Sequence, residues 1–315
     1  MVTNIPKSNK SKILVTGANG LLGQKIIESI LQENEYRAVA TGKGNSRLPS
    51  DWYGHEYYTM DITDRDEVME VFETTRPHFV IHAASMTDVD RCEVVKDTCY
   101  DQNVNGTLNI IAACQRFRCH LIFVSTDFIF DGKEGPYDEQ SKPHPVNYYG
   151  TTKLEAERAV QNSGIPHAIV RTNLVYGIAH ELHRSNIILW VKKRLELGQE
   201  IEMVDDQFRT PTLAEDLATG CLQVVAQKAT GIFNISGKDL LTPYDMGILT
   251  ADYFGLDKKK IKKTDSSKFT QVAARPLKTG LIINKANNVL GFEPRSFTEG
   301  IDILAKQLKL ADHNN

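Results

Sequence analysis

From residue 12 onward, short runs of β-branched and apolar residues alternate with stretches whose apolar positions recur at helical spacing. Such alternation marks successive βαβ units on a parallel sheet. Residues 12–16 (KILVT) are too short and too apolar for a surface helix and run into glycines, which predicts a buried strand. Residues 21–31 set Leu22, Ile26, Ile27, Ile30 and Leu31 on one face of a predicted helix. Further strands are predicted at 36–41, 56–60, 77–83, 121–125 and 167–171. Between them, helices are predicted at 64–75, 98–116 and 147–161, the second with Val104, Leu108, Ile111 and Ala112 inward. Beyond residue 172 the rhythm loosens. Residues 187–197, 213–227, 243–254 and 297–308 read as helices, and only 231–235 reads as a strand. The fold class expected is therefore α/β: a Rossmann-type doubly wound parallel sheet over 12–172, with a smaller C-terminal α/β lobe over 173–311. Later segments are free to return to the first unit, and residues 1–11 form a polar tail.

Composition narrows the function. With 315 residues, 41% hydrophobic and 24% charged, the chain has ordinary globular usage and is no disordered polar segment. A formal charge of −3 gives no global field for nucleic acid. Apolar runs span only a few residues, far short of the about 20 a membrane span needs. The polar start is no secretory signal, so a cytoplasmic protein acting on small molecules is expected. Cysteines at 92, 99, 114, 119 and 221 form no CxxC pair and no cluster with metal-ligand spacing, so reduced thiols and no metal are expected. The basic run 258–263 reads as a solvated loop, and a homodimer is a guess that no segment supports. The long polar loop 131–144 follows a strand end, where functional loops gather.

The first strand runs into Thr16-Gly-Ala-Asn-Gly-Leu-Leu-Gly23. Gly17 permits the tight turn, Gly20 lets backbone approach a pyrophosphate, and Gly23 lets helix pack on strand. A turn of this kind between a clear strand and a clear helix points to nucleotide binding. The acidic residue that would hold the adenosine ribose is missing; Lys43 and Arg47 stand at the end of the second strand instead. Those cations suit a 2′-phosphate and favour NADP(H), with NAD(H) as the alternative. Asp61, closing the third strand, is placed to accept from the adenine amino group.

Tyr149 and Lys153 stand four apart on a predicted helix, hence on one face. A tyrosine of pKa about 10 shuttles protons poorly at neutral pH, and a neighbouring ammonium would lower that value. Upstream, Ser125-Thr126-Asp127 closes the fifth strand, where a hydroxyl could bond a substrate carbonyl oxygen.

In this order the glycine turn, strand-end hydroxyl and Tyr/Lys helix resemble an extended short-chain dehydrogenase/reductase, most closely the dTDP-4-dehydrorhamnose reductase group. The likeness runs from about residue 13 to 308 and is carried by residues 16–23, 82–93, 103–107, 124–132 (VSTDFIFDG), 145–153 (PVNYYGTTK), 171–177, 209–212 and Arg275-Pro276. It implies a coenzyme lobe and a lobe that grips a nucleotide-sugar. Catalytic roles then fall on Thr126, on Tyr149 as proton donor, and on Lys153 as its tuner and ribose contact. Coenzyme contacts would fall on Gly17, Asn19, Gly20, Leu21, Leu22, Gly23, Lys43, Arg47, Asp61, Ile62, Ala83, Ala84, Ser85, Met86, Thr87, Asn103 and Val124. Substrate contacts would fall on Thr126, Asp127, Leu174 and, by the phosphate affinity of guanidinium, Arg209. The resemblance implies hydride transfer to a sugar C4 ketone, protonated by Tyr149.

Two departures concern the sugar. Leu174 stands where the group carries a tryptophan, and Leu277-Lys278-Thr279 where it carries a small residue and asparagine. Phe128 after Asp127 argues against the paired acids of a nucleotide-sugar dehydratase, while an epimerase stays open. The chain also resembles the regulatory beta subunit of methionine adenosyltransferase, a non-catalytic dinucleotide-binding partner on the same scaffold.

Overall fold

The computed structural model describes residues 10–181, 186–269 and 271–313. Of the expected polar tail, only Lys10 and Ser11 lie among them. In chain order the first part contains β1 (Lys12–Thr16), α1 (Leu21–Glu33), β2 (Arg37–Gly42), β3 (His55–Thr59), α2 (Arg65–Thr75) and β4 (Phe79–His82). Three short segments follow, α3 (Val89–Val94), α4 (Lys96–Tyr100) and α5 (Gly106–Phe117), then β5 (His120–Thr126), α6 (Tyr148–Gln161) and β6 (His167–Thr172). The remainder holds β7 (Val175–Tyr176), α7 (Ile187–Glu196), β8 (Ile201–Val204), β9 (Thr212–Leu213), α8 (Ala214–Gln227) and β10 (Gly231–Asn234). It ends with α9 (Pro243–Phe254), β11 (Ile261–Thr264), α10 (Asn284–Leu290) and α11 (Phe297–His313).

Seven of these strands form one parallel sheet in the order β10-β6-β5-β4-β1-β2-β3. The chain lays β2 and β3 on one side of β1, then crosses back to place β4 on the other. Strand order thus reverses between β1 and β4, and the crevice beyond their carboxyl ends is where such sheets hold ligands. The seventh strand comes from beyond residue 172: β10 pairs with β6 from Gly231↔Ala168 to Asn234↔Arg171. One sheet face, with Ile13, Val15, Ile81 and Ile122, packs on Ile26, Ile27 and Ile30 of α1 and Leu217, Cys221 and Val224 of α8. The opposite face buries Leu14, Val80, Leu121 and Phe123 under Phe72, Ile110 and Ala156 of α2, α5 and α6. The strands are apolar on both faces because both are covered.

Helix boundaries follow local chemistry. Asp64 caps α2 by accepting from the Asp66 and Glu67 amides, and Arg76 ends it in the left-handed region. For α9, Thr242 and Asp245 form a reciprocal capping box, Pro243 opens the helix and Gly255 closes it at φ 65°.

Three expectations change. The helix expected over 98–116 is broken: α4 passes through a π-helical turn at Asp101–Asn105 before α5 begins. That wider turn offsets the helical phase, so Ile110, Ile111 and Cys114 are buried and Leu108 faces out. The basic run 258–263 is no plain loop, because Ile261–Thr264 pairs in parallel with β8. Three of its five lysines are matched, Lys258 with Asp252, Lys262 with Glu200 and Lys263 with Asp205. The last helix extends past 308 to His313. All five cysteines are free and buried. Among the described residues, no helix is long and apolar enough to cross a membrane, and no group of three His, Cys, Asp or Glu side chains could hold a metal.

Candidate active site

The glycine turn is built by close backbone packing. Gly17 has φ +71°, and a Cβ there would lie 2.9 Å from the Ala84 backbone, so the turn presses on the strand end at Ala83–Ala84. Gly23 is tighter still: its Cβ would lie 2.3 Å from the Gly17 carbonyl oxygen. Gly20 caps α1 with extended backbone and offers no side chain to the first-turn amides of Leu21, Leu22 and Gly23. An anion is the natural partner for such a helix start. These features fit a coenzyme pyrophosphate.

Behind the turn, Thr16 Oγ1 is 2.7 Å from His82 Nδ1, and His82 Nε2 is 3.2 Å from Thr107 Oγ1. The Ala84 amide donates to Thr16 Oγ1 at 3.1 Å, locking β1 to β4 at the crevice. Burial, with Lys153 adding to it, pushes His82 down to about 3, so the ring is neutral and serves as a hydrogen-bond bridge.

Asn19 reaches across the turn. Its Nδ2 donates to the Asn45 carbonyl at 3.0 Å and to Tyr57 Oη at 2.9 Å, while Oδ1 accepts the Arg47 amide at 2.9 Å. The loop carrying Lys43 and Arg47 is thereby fixed beside the turn with both cations exposed. Lys43 Nζ pairs with Asp61 Oδ2 at 2.7 Å. Burial works against the Asp61 carboxylate, but Lys43 and Thr63 hold it below its ordinary range. Both residues thus meet in a partly exposed pair rather than standing apart. Next to Asp61, Ile62 is buried and packs on Gly106.

On the other wall, the Asn103 amide group accepts the Met86 N–H at 2.8 Å and donates to the Met86 carbonyl at 3.2 Å. A further bond to Thr152 Oγ1, at 3.1 Å, ties α6 to the π-helical turn. The segment Ala83, Ala84, Ser85, Met86 and Thr87 is thus held along the crevice by buried polar contacts. Thr87 itself is partnered.

Helix α6 starts at Asn147, whose Oδ1 accepts the Gly150 amide and whose Nδ2 donates to the Ala274 carbonyl. Deeper in, Glu157 pairs with Arg171 at 2.8 and 3.1 Å, both buried, and so rivets α6 to β6. Glycine at 150 is required, since a Cβ would lie 2.1 Å from the Phe128 carbonyl oxygen. Tyr149 is thereby brought against β5, its ring edge-on to Phe128 at 5.9 Å and its phenol in the neighbourhood of Thr126. Lys153 Nζ donates to the Val124 carbonyl at 2.8 Å and lies 4.1 Å from the Phe123 ring centroid.

Burial dominates the electrostatics of both Tyr149 and Lys153. Burial raises the Tyr149 phenol above its ordinary value despite the neighbouring Thr126, and the nearby Asp127 adds to the rise. Burial also lowers Lys153 to about 7, with Glu157 opposing. Lys153 is held to β5 by its bond to the Val124 carbonyl.

The substrate-side residues diverge. Asp127 is 2% exposed and accepts from Thr126 Oγ1 at 3.1 Å and from Thr279 Oγ1. Arg209, expected at a diphosphate, is buried and donates to the Phe208, Leu277 and Pro276 carbonyls at 2.8, 3.0 and 2.7 Å. Its guanidinium is spent on the chain itself. Leu174 is 43% exposed with φ 33°, an uncommon conformation for a branched residue. Its carbonyl accepts the Thr212 amide.

A family model, the RmlD substrate binding domain, matches residues 11–310. The chain belongs to that family. Over 305 residues this RmlD-like protein is 28% identical to a probable low-salt glycan biosynthesis reductase of Haloferax volcanii, covering 96% of this chain and 99% of the relative. It is 30% identical to methionine adenosyltransferase 2 subunit beta of Bos taurus, over 84% of this chain and 77% of that protein. Among solved structures it is similar to dTDP-4-dehydrorhamnose reductase of Bacillus anthracis in complex with NADP. The TM-score there is 0.81 at 26% identity, covering 95% of this chain and 99% of that one.

Two features of this RmlD-like chain have no local signal in its sequence. Thr279 meets Asp127 across 152 positions, a pairing no local spacing announces. Between α7, β8 and α9 a cleft of about 410 Å³ is lined by Asn186, Ile187, Trp190, Met203, Pro243 and Phe269, among others. Its aromatic rings offer stacking faces, and Asn186 ties it to Gly177, which packs on Leu21 at the start of α1. Apolar residues at helical spacing signal core, so Trp190 gave no hint of a cleft.

Proposed function

We propose that this protein is an NADPH-dependent reductase of the C4 keto group of a nucleotide-diphosphate 4-keto-6-deoxy sugar, working in the cytoplasm, with NAD(H) as the alternative coenzyme. The observation that carries the reading is the meeting of Thr126, Tyr149 and Lys153 at the carboxyl end of β5, beside the strand-order reversal. The names of relatives, a probable glycan biosynthesis reductase and a dTDP-4-dehydrorhamnose reductase held with NADP, point the same way.

On this reading residues 12–172, joined by α8 and β10, form the coenzyme lobe, and the rest of 173–311 forms the substrate lobe. The Gly17–Gly23 turn cradles the pyrophosphate, and Lys43 and Arg47 face the 2′-phosphate. When bound, a reduced nicotinamide supplies the hydride. Tyr149 gives its proton to the ketone oxygen, and Thr126 orients that oxygen. Lys153, held at the Val124 carbonyl, would be the residue to hold the ribose hydroxyls of a bound coenzyme. Leu174 lines the sugar, and the cleft at Trp190 and Phe269 receives the nucleotide base.

NADPH absorbance should fall when a dTDP-4-keto-6-deoxyhexose is added. Tyr149→Phe should remove at least about a hundredfold of kcat while leaving the NADPH dissociation constant nearly unchanged. No oxidation with any 4-keto nucleotide-sugar overturns the reading.

A non-catalytic, NADP-binding regulatory subunit is the second reading. It is favoured by the 30% identity to a methionine adenosyltransferase beta subunit and by the internal engagement of Arg209. Tight association with a methionine adenosyltransferase, without NADPH turnover, would select it.

A further inference from the structure

A short helix beside the phenol is held in place from the far end of the chain. On the reductase reading above, we infer that Asp90 and Arg275 are a positioning pair for the reaction. By clamping residues 273–275 across α3 and the start of α6, they keep α3 seated against Tyr149.

The Tyr149 ring packs in one cluster with Met86 of the coenzyme wall, Cys92 of α3 and Cys99 of α4. Of these supports, α3 is the least able to hold itself. It has 6 residues, Val89–Val94, and a helix that short is not stable in water on its own. Its place must come from tertiary bonds.

Those bonds converge on Asp90 and Glu93. Arg275 forks onto Asp90, with Nη1 2.9 Å from Oδ1 and Nη2 2.9 Å from Oδ2. The Ala273 amide donates to the same Oδ1 at 3.0 Å, and Arg275 Nη1 also donates to the Ala273 carbonyl at 2.8 Å. The loop is thus braced on its own arginine. Between these residues the Ala274 carbonyl accepts from Asn147 Nδ2 at 2.9 Å, and Asn147 is the residue that caps α6. Further along α3, Glu93 accepts the Tyr148 amide at 2.7 Å. Loop, α3 and the first turn of α6 therefore meet in one junction, and Tyr149 follows directly from it. On its other side the loop is anchored by Arg209, which donates to the Pro276 and Leu277 carbonyls.

The pair is built to position more than to stabilise. The Asp90 and Arg275 side chains are 45% and 18% exposed, and an ion pair open to water in this way adds little to folding. The coenzyme wall does not depend on it, because Ala84 is bonded to Thr16 and Met86 to Asn103. Loosening the junction therefore shifts the phenol and leaves that wall in place. A displacement of about 1 Å at a reacting group can cost about a hundredfold in rate.

The test compares wild type with Asp90→Asn, Arg275→Met and the double variant. Asparagine keeps an acceptor for the Ala273 amide but sets its own NH2 group against the guanidinium, and methionine keeps the apolar stem while removing the fork. Melting temperatures should stay within about 3 °C of wild type. The NADPH dissociation constant should change by less than about twofold. With a dTDP-4-keto-6-deoxyhexose, each single variant should lose at least about tenfold in kcat while KM changes by less than about threefold. The double variant should lose no more than the worse single one. Losses that multiply in the double variant, wild-type kcat in either single variant, or a large fall in melting temperature overturns the inference. So does a raised KM at unchanged kcat, which would make Arg275 a substrate-binding group. A second measurement needs no substrate: fluorine NMR of protein carrying 3-fluorotyrosine, with the Tyr149 line assigned by its loss in Tyr149→Phe. That line should shift in each single variant and move no further in the double; an unmoved line overturns the inference by itself. If no 4-keto sugar is reduced but the line moves so, the reductase reading fails and the positioning of Tyr149 by the pair stands.

Discussion

Alanine at Gly20 and at Gly23, tested separately, should divide the two tasks of the glycine turn. At Gly23 the added Cβ would lie 2.3 Å from the Gly17 carbonyl oxygen and 2.6 Å from Ala18 Cα. Both obstacles are backbone, so the turn itself must open. Overpacking costs about 1–3 kcal/mol, and with no side chain able to yield the upper end applies. At about 2–4 °C per kcal/mol for chains somewhat smaller than this one, the melting temperature should fall by about 5–10 °C. Gly20 differs. Its φ is −86°, and the nearest atom to an added Cβ is the Gly17 oxygen at 3.2 Å. A shift of a few tenths of an ångström suffices, so the cost should stay under about 1 kcal/mol and the melting temperature within about 3 °C. That methyl, however, would stand where a pyrophosphate approaches the first turn of α1, and the NADPH dissociation constant should rise at least about tenfold, or about 1.4 kcal/mol. Thermal denaturation and NADPH fluorescence titration measure the two effects. If Gly20→Ala bound NADPH like wild type, or melted as early as Gly23→Ala, the assignment of the turn as a phosphate cradle would be wrong.

Other perturbations probe the rest of the framework. Glu157→Gln leaves Arg171 buried beside an uncharged partner, and urea denaturation should report a loss of about 3–5 kcal/mol; a double replacement by apolar residues should lose less. Lys153 has a folded pKa of about 7, below that of a free lysine, so the folded state binds fewer protons than the unfolded one between those values. Stability should therefore gain from this group as pH rises above about 7, and the penalty of burying its charge is fully present below it. Lys153→Met should accordingly raise the melting temperature more at pH 6 than at pH 9.5; equal shifts would refute the assignment. Arg47→Ala and Lys43→Ala should both weaken NADPH binding while hardly changing NADH, the first more strongly because Asp61 already partly neutralises Lys43. Equal loss for both coenzymes would refute the 2′-phosphate role.

Much of the sheet was legible because buried parallel strands announce themselves: KILVT, FVIH and HLIFVST are apolar on both faces, and glycines punctuate the first turn. Tyr149 and Lys153 were legible as neighbours because helical spacing alone puts them on one face. The π-helical turn at Asp101–Asn105 was not, since one extra residue per turn leaves composition unchanged while displacing Leu108 outward. Neither was the fate of Arg209 and Asp127. Their partners, Pro276 and Thr279, arrive from a distant segment, and a residue type cannot say whether its charge will face a ligand or the chain. The strands β8 and β11 were hidden for a similar reason, because IEMV and IKKT are short, bury only alternate or end residues and pair only with each other, outside the main sheet.

The outer position of β10 has a consequence for biosynthesis. When residue 172 leaves the ribosome, β6 has its inner neighbour but presents Ile169 and Val170 along an open edge, and α1 still lacks the cover of α8. Elongation adds about 5–20 residues each second, so that edge stays bare for seconds while the intervening chain is made. Over that interval the nascent half is a template for stray strands and a natural client for chaperones, and slower translation across this stretch should lower the yield of native protein.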